Sequence, residues 1–325
     1  MRRILITGGT GFVGSHLVRF LNSVDAKLIV VSSGGVKTQL PGVDYCRVDI
    51  RNADDVRAVV RDASPHQIYH LAGISSVSAS WQHPRLTFDV NVVGSCNIFD
   101  AAMRLPSPPR ILNVSTSQVY APSIAALLET SPVGPDNPYA ASKAMAELLA
   151  VQYQKSTTGG IITARAFNHT GPGQSTTFAL PSFARQLAEM EVGLRPPILK
   201  VGNVHVKRDF ADVRDVVVAY HELLEKGAVG ESYNVCSGRA VLLAELVTEL
   251  QKNCAAAVKI EIDPSRVRAS DVPQIVGDPK KLHQTTGWLP EVPLDRMLKE
   301  LLAYWRTEIK GDAVEGNGAV SETLP

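Results

Sequence analysis

Short apolar segments alternate with helical patterns along the first half of the chain, and this rhythm constrains the fold more than any other feature. The apolar segments are RILIT, KLIVVSS, YCRVDI, QIYHLAG, RILNVST and IITARAFN. After the first of them, GFVGSHLVRFLN places Val13, Leu17 and Leu21 on one helical face. Apolar runs separated by helices are typical of parallel strands buried on both faces of a sheet. We therefore predict an α/β fold with a doubly wound parallel sheet.

The rhythm becomes less regular after Asn168, which predicts a second structural unit. We expect residues 1–167 and about 209–236 to form the parallel-sheet domain. The segments of about 168–208 and 237–308 would form a smaller mixed α/β lobe near the carboxyl ends of the strands, where ligands bind in open sheets. The segment 309–325 has little to bury, and we predict a disordered tail there.

Composition excludes several classes of function. The net charge is +1 and no basic stripe is visible, which argues against a nucleic-acid or anionic-membrane partner. No apolar stretch approaches the roughly 20 residues of a membrane span, and the strand-like RRILIT at the start leaves no room for a secretory leader. The four cysteines lack the spacing of a disulfide framework or a zinc site, so we predict no metal and a cytoplasmic protein.

A glycine-rich turn, TGGTGFVG, follows the first strand and opens the first helix. Glycine allows a tight turn and lets the backbone approach a pyrophosphate, whose charge lies at the helix N-terminus. The strand–turn–helix context makes dinucleotide binding a stronger interpretation than a bare structural turn. The residues predicted to bind the cofactor here are Gly8, Gly11, Phe12, Val13 and Gly14.

The end of the second strand bears on the choice between NAD and NADP. A carboxylate there would bind the adenosine ribose and repel a 2′-phosphate, but this chain has Ser32 and Ser33 in VVSSGGVK. Hydroxyls, backbone amides and Lys37 could accept a phosphate, although no arginine is placed to clamp it. The pattern favours NADP(H) by a small margin and leaves NAD(H) open.

Further cofactor contacts are predicted at the ends of the third and fourth strands. Asp49 and Ile50 are placed to contact adenine, and the HLAG segment would line the cofactor with Leu71, Ala72 and Gly73. We also expect a contact from Asn91. For His70, a satisfied buried histidine and a catalytic role are equally open.

The segment NPYAASKAMAELL places a tyrosine and a lysine on one face of a predicted helix. Asn137 suits the helix cap and Pro138 the first helical position, and Tyr139 and Lys143 are four residues apart. A nearby ammonium group would lower the pKa of a tyrosine from its ordinary value of about 10. Such a phenol can protonate the alkoxide that forms when hydride reaches a carbonyl carbon. We predict Tyr139 as the catalytic acid, with Lys143 tuning it and contacting the nicotinamide ribose.

With the glycine-rich turn and Thr116 at the end of the fifth strand, this spacing resembles the extended short-chain dehydrogenase/reductase family, to about Arg306. The segments RAFNHTGPGQ, ILKVGNVHVKRDFADVRDVVVAY and SDVPQIVGDPKKLHQTTGWLPEVPL resemble its GDP-sugar branch, most of all GDP-4-dehydro-6-deoxymannose reductases, with GDP-mannose 4,6-dehydratases as near relatives. The resemblance implies a Rossmann domain, an NAD(P)H-dependent reduction that forms GDP-rhamnose, and a homodimer. Thr116 would then orient the substrate carbonyl beside Tyr139.

The second half of the chain offers groups that suit a GDP-sugar. Arg208 and Arg268 could pair with the diphosphate, and Asp271 could accept hydrogen bonds from ribose hydroxyls. Asn168 could bind the phosphate or the sugar. The resemblance places Lys200 at the guanine.

Three residues nearer the catalytic groups complete the predicted substrate site. Ser76 could reach the sugar, with a plain serine-rich loop as the equal alternative, and Ser117 is expected to contact substrate. Gln118 stands where the dehydratases carry a glutamate. An amide cannot remove the proton next to a ketone, so Gln118 argues against 4,6-dehydration. Reduction, with the stereochemistry at C4 unassigned, and 4-epimerisation both stay open, as does a silent dinucleotide-binding sensor or scaffold.

Overall fold

The computed structural model describes residues 1–35, 39–156, 160–255, 257–267 and 272–318. Its largest element is a seven-stranded sheet in the order β10-β6-β5-β4-β1-β2-β3, and every neighbouring pair is parallel. The strands are β1 (Arg2–Thr7), β2 (Ala26–Ser32), β3 (Val43–Arg47), β4 (Gln67–His70), β5 (Arg110–Thr116), β6 (Gly160–Ala166) and β10 (Ser232–Val235). The predicted doubly wound parallel sheet is confirmed.

Successive strand residues point to opposite faces of this sheet and are apolar on both, so helices cover both faces. Ile4, Ile6 and Val30 belong to the core on one face, whereas Leu5 and Val31 belong to the core on the other. The first core lies under α1 (Phe12–Leu21), α8 (Val213–Lys226) and α10 (Lys280–Thr286). The second lies under α2 (Ala53–Ala63), α5 (Gly94–Met103) and α6 (Pro138–Ser156).

The helical segment that follows β4 is not one regular α-helix. Two short helices, α3 (Val77–Gln82) and α4 (Pro84–Phe88), are followed by a π-helical turn at Asp89–Val93 that leads directly into α5. A π-turn widens the helix by one residue per turn and is frequent at functional sites. This one contains Asn91, whose side chain is fully buried.

The remaining elements form a smaller lobe over the carboxyl ends of the large sheet. In one sheet β9 (Lys207–Asp212) pairs with β7 (Asn168–Thr170), β11 (Ala240–Leu242) and β13 (Gln274–Ile275). In a second sheet β8 (Ile198–Val201) pairs with β12 (Lys259–Ile262). The helices of the lobe are α7 (Ala179–Glu191), α9 (Leu243–Lys252) and α11 (Leu294–Gly318), which share a core.

The observed division differs from the predicted boundaries in three places. The β9 strand pairs only within the sheet of the lobe, although residues from 209 onward were assigned to the first domain. Leu282 and Trp288 are buried in the core beneath α8, and the Trp288 indole donates to the Asp215 carbonyl oxygen at 3.0 Å. Ile309 is buried against the core of the lobe, so a tail that begins at residue 309 begins too early.

No helix in the described part of the chain combines the length and the apolar character that a membrane span requires.

Candidate active site

A cleft of about 1610 Å³ lies between the large sheet and the smaller lobe. Ordinary small-molecule sites occupy roughly 300–1,000 Å³, so this cleft has room for two ligands side by side. Its floor is formed by the carboxyl ends of the parallel strands, the position where open α/β sheets bind ligands. Most of the predicted site residues line it, in two groups that correspond to the two ends of the cleft.

The glycine-rich turn forms one wall of the cleft and is shaped for a bound anion. Gly8 has φ +71°, and a Cβ there would lie 2.7 Å from the Ala72 backbone nitrogen. A Cβ at Gly14 would lie 2.2 Å from the Gly8 carbonyl oxygen, so neither position tolerates a side chain. Gly11 caps α1 without a side-chain hydrogen bond, and the first turn carries no acidic residue. The N–H groups of that turn therefore remain available to a pyrophosphate, and the turn fits a dinucleotide.

The far end of this wall holds the hydroxyls predicted to favour NADP. Ser32 and Ser33 line the cleft, and Ser32 Oγ lies 2.7 Å from Thr10 Oγ1. Arg51 lines the same cleft and makes a bidentate ion pair with Asp49, with an Nη2–Oδ2 distance of 2.5 Å. This pair lowers the pKa of Asp49. The prediction that no arginine is placed to clamp a 2′-phosphate considered only the end of β2, whereas Arg51 follows β3 and has its guanidinium engaged with Asp49, so this prediction stays untested. Lys37 lies outside the described residues.

The other contacts predicted for the cofactor divide into two sets. Ile50, Leu71, Ala72 and Gly73 line the cleft, together with Phe12 and Val13. Asn91 does not line it. Its Nδ2 donates to Ile74 O at 3.0 Å and its Oδ1 accepts from Ile74 N at 2.8 Å. The structure thus does not bring Asn91 to the cofactor site; the side chain fixes the loop that follows β4.

His70 is a satisfied buried residue. Its Nδ1 lies 2.8 Å from Thr7 Oγ1 and its Nε2 lies 2.9 Å from Ser95 Oγ. Burial, with a smaller contribution from the charge of Lys143, lowers the pKa of His70 to about 3. The ring is therefore neutral at physiological pH with both nitrogens engaged, and the structural interpretation is the correct one of the two that the sequence left open.

Thr116, Tyr139 and Lys143 all line the cleft, where β5 ends and α6 begins. The Thr116 hydroxyl lies near enough to Tyr139 to lower the pKa of the phenol. Lys143 Nζ donates to Val114 O at 2.9 Å and would lie 3.3 Å from a Cβ on Gly73. The ammonium group is thus directed at the cofactor-lining loop as well as toward the end of β5.

The electrostatics of this group differ from the sequence prediction. Burial raises the pKa of Tyr139, and only the hydrogen bond with Thr116 opposes that effect. Lys143 was expected to lower the pKa of Tyr139, but burial is the larger influence on the phenol and raises that pKa. The pKa of Lys143 itself is lowered to about 8 because it is buried, despite the opposing charge of Glu147. Tyr139 is therefore protonated at neutral pH.

At the lobe end of the cleft, Ser76, Ser117, Gln118 and Asn168 all line the wall. Arg208 also lines it and donates to the backbone oxygens of residues 207 and 272 at 2.9 and 2.8 Å.

One predicted substrate residue is not brought to this end. Lys200 alternates on β8 with Leu199 and Val201, which are buried in the core of the lobe, so its side chain is exposed on the other face of the strand and does not line the cleft. Arg268 and Asp271 lie outside the described residues. Arg266, which sequence reasoning missed in favour of Arg268, does line the cleft, and its Nη1 donates to Ser182 Oγ at 3.0 Å.

Comparison with known proteins identifies the family. The family model described as GDP-mannose 4,6 dehydratase matches residues 5–301. The chain belongs to this family. It is 34% identical over 312 residues to GDP-6-deoxy-D-mannose reductase from Pseudomonas aeruginosa, covering 95% of this chain and 99% of the relative. It is 27% identical to GDP-mannose 4,6-dehydratase from Vibrio cholerae, covering 93% of each.

The fold agrees with the same assignment. The structure of RMD from Pseudomonas aeruginosa complexed with NADPH superposes with a TM-score of 0.84 and 32% identity, covering 95% of this chain and 100% of that one. The predicted membership of the extended short-chain dehydrogenase/reductase family, in its GDP-sugar branch, is confirmed. In this member of the GDP-mannose 4,6-dehydratase family, the residue two positions after Thr116 is Gln118, whose backbone N–H donates to Thr116 Oγ1 at 3.3 Å.

Two hydroxyls along the cleft lack a hydrogen-bond partner within the described part of the chain. They belong to Ser115 and Tyr220, and both are buried. Buried polar atoms without a partner are rare in native proteins, which makes these two hydroxyls candidates for a hydrogen bond to a bound water or ligand. Sequence reasoning missed both residues, and Tyr220 lies on an otherwise ordinary apolar helix face.

Proposed function

We propose that this protein is an NADPH-dependent reductase that converts GDP-4-dehydro-6-deoxy-D-mannose into GDP-D-rhamnose. The observation that carries the proposal is the group of Thr116, Tyr139 and Lys143 at the centre of a two-ligand cleft, with an amide at position 118. The identity to the reductase from Pseudomonas aeruginosa supports the same assignment.

The residues divide the chemistry at the ketone among them. With its pyrophosphate held against the glycine-rich turn, the reduced cofactor would supply the hydride. Tyr139, which burial keeps protonated, donates its proton to the oxygen that becomes negative. Thr116, whose hydroxyl acts on the pKa of Tyr139, orients the same oxygen beside the phenol. Lys143 lies against Gly73 and holds the ribose of the cofactor in place.

The proposed cofactor preference rests on the adenosine end of the cleft. Ser32 and Ser33 offer hydroxyls where a carboxylate would repel a 2′-phosphate, and Arg51, which pairs with Asp49, lines the same cleft. The hydroxyls at the end of β2 favour a 2′-phosphate. We therefore place NADPH ahead of NADH, with NADH as a slower reductant.

The diphosphate and sugar of the substrate occupy the lobe end of the cleft. Arg208 and Arg266 bring two cations to that wall, and Asn168 brings an amide. An arginine pair suits a diphosphate because each guanidinium can bind two phosphate oxygens. Ser76 and Ser117 are placed to contact the hexose.

Dehydration is disfavoured because position 118 holds an amide, and an amide cannot act as the base that dehydration needs beside the ketone. A 4-epimerase is the second candidate, since Tyr139 and a tightly held cofactor would serve it equally. The two differ in stoichiometry, because reduction consumes one NADPH per product and epimerisation consumes none.

We also propose that the protein acts as a cytoplasmic homodimer. The outer surface of α6 exposes Met145, Leu148 and Val151 at helical spacing, with side chains 44%, 65% and 42% exposed. Val93 in the adjoining π-turn is 46% exposed. Such a row on one face is typical of a subunit interface. Sedimentation equilibrium of the wild type and of a Leu148→Glu variant tests this, and a monomeric wild type would contradict it.

The enzymatic assay combines purified protein, a separate GDP-mannose 4,6-dehydratase, GDP-mannose, and NADPH or NADH. We expect one NADPH consumed per GDP-6-deoxyhexose formed, and NMR of the product assigns rhamnose or talose from the configuration at C4. If GDP-mannose is instead converted into its C4 epimer with no net NADPH consumption, the protein is an epimerase. If the ketosugar persists and Tyr139→Phe changes nothing, the protein is a silent dinucleotide-binding sensor instead.

A further inference from the structure

The residue that caps α6 also fixes how the neighbouring glutamine faces the cleft. Asn137 Oδ1 accepts a hydrogen bond from the Ala140 backbone N–H at 2.9 Å. A backbone N–H can only donate, so this contact identifies which end of the Asn137 amide is the oxygen. The other end, Nδ2, is consequently a donor.

That donor determines the orientation of Gln118. Asn137 Nδ2 donates to Gln118 Oε1 at 3.1 Å and to Asp136 Oδ1 at 2.8 Å. Because its oxygen is engaged with Asn137, Gln118 has its own Nε2 at the opposite side of the amide. Within the described part of the chain no hydrogen bond is found for this nitrogen, and it is not among the buried unpaired atoms, so it is open to the cleft that Gln118 lines.

We infer that Asn137 is a positioning residue that turns Gln118 into a hydrogen-bond donor for the hexose. The inference rests on the proposed function, because it is the sugar beside Tyr139 that Gln118 would meet. Gln118 follows Thr116 by two residues and Asn137 precedes Tyr139 by two, so the Gln118–Asn137 bond joins the two segments that carry the catalytic hydroxyls. The Nε2 group then donates to an oxygen of the hexose next to the reacting ketone.

The test changes the direction of the amide without removing the helix cap. In Asn137→Asp, one carboxylate oxygen still accepts from Ala140 N, while the other faces Gln118 and requires Gln118 to present its oxygen to the cleft. Gln118→Glu removes the same donor directly. Asn52→Asp is the matched control, because Asn52 also caps a helix and donates to an adjacent aspartate, Asp55, at 2.8 Å, away from the sugar end.

Binding of GDP-mannose and of GDP is measured by calorimetry, with KM and kcat for the ketosugar beside them. A single lost hydrogen bond predicts a roughly five- to tenfold rise in the Kd of GDP-mannose and in the KM, in both Asn137→Asp and Gln118→Glu. The Kd of GDP, which has no hexose, and the Kd of NADPH stay at the wild-type values. In the double variant, Asn137→Asp is combined with Gln118→Ala so that two carboxylates do not face each other, and its loss is no greater than that of Gln118→Ala alone, because the same donor is removed only once.

Several results would overturn the inference. They are an unchanged Kd for GDP-mannose in Asn137→Asp, equal losses for GDP and GDP-mannose, multiplicative losses in the double variant, or the same loss in Asn52→Asp. These outcomes are distinct from failure of the proposed function, in which the wild type binds NADPH but neither binds GDP-mannose nor reduces the ketosugar.

Discussion

Replacing Arg165 by methionine tests whether a buried ion pair holds the catalytic helix to the sheet. Arg165 on β6 donates from Nε and Nη2 to the Glu147 carboxylate on α6, the shortest distance being 2.7 Å. Its Nη1 donates to Glu129 O at 3.0 Å, and its guanidinium lies 4.7 Å from the centre of the Tyr120 ring. Glu147 is one helical turn beyond Lys143, so the pair anchors the part of α6 that carries the catalytic groups.

The expected size of the effect follows from burial. The side chains of Arg165 and Glu147 are only 8% and 10% exposed, so the methionine variant leaves a carboxylate buried without its partner. Breaking a buried pair in this way costs about 3–5 kcal/mol. Replacing both residues, as Arg165→Met with Glu147→Leu, removes the unpaired charge as well. The double variant should therefore lie within about 2 kcal/mol of the wild type and can be more stable than it.

Urea denaturation followed by tryptophan fluorescence measures both variants against the wild type, with the m value compared to ensure that the same transition is observed. A single variant that loses less than about 1 kcal/mol would show that water or a rearranged neighbour neutralises Glu147. A double variant as unstable as the single one would show that packing around Tyr120, and not the charge, carries the effect. Either result refutes the reasoning from the ion pair.

Four further outcomes are expected. Tyr139→Phe should lower kcat by about 10²- to 10⁴-fold and leave the Kd of NADPH, measured by fluorescence titration, unchanged. Because burial lowers the pKa of Lys143 to about 8, the protonated form is lost and reduction should slow as the pH rises through that value in a pH–rate profile. Gly14→Ala should abolish NADPH binding, since the new Cβ would lie 2.2 Å from the Gly8 oxygen. Tyr220→Phe should keep or raise the urea midpoint, because the lost hydroxyl has no partner in the described residues.

The sequence predicts the large sheet well because its signal is local. Runs such as RILIT are too apolar to be exposed on either face, and only a parallel sheet covered by helices buries both. The glycine-rich turn can be predicted equally well, because any side chain at Gly8 or Gly14 would collide with the backbone. The Tyr139–Lys143 spacing brings both residues to the cleft for the same reason: four residues make one helical turn.

What the sequence leaves undetermined depends on contacts between distant segments. The π-turn at Asp89–Val93 has no local signature, because it forms where Asn91 bonds to both backbone groups of Ile74. The direction of the pKa shift of Tyr139 was mistaken because helical spacing gives proximity to Lys143 but not the burial of both groups. The exclusion of Lys200 from the cleft follows from the burial of its neighbours Leu199 and Val201 in the core of the lobe, which depends on helices distant in the sequence.

Under the proposed function, position 118 decides between reduction and dehydration. Tyr139 and Thr116 would act on the carbonyl oxygen whether hydride arrives at C4 or a proton leaves the neighbouring carbon, so they cannot distinguish the two reactions. Position 118 can, because it follows Thr116 in the turn after β5 and faces the same ligand. Asn137 would donate equally well to an amide oxygen or to a carboxylate oxygen, so the surrounding hydrogen bonds accept either residue. With glutamine the group left facing the sugar is an N–H, which can bind an oxygen but cannot accept a proton, and hydride transfer is the chemistry that this arrangement supports.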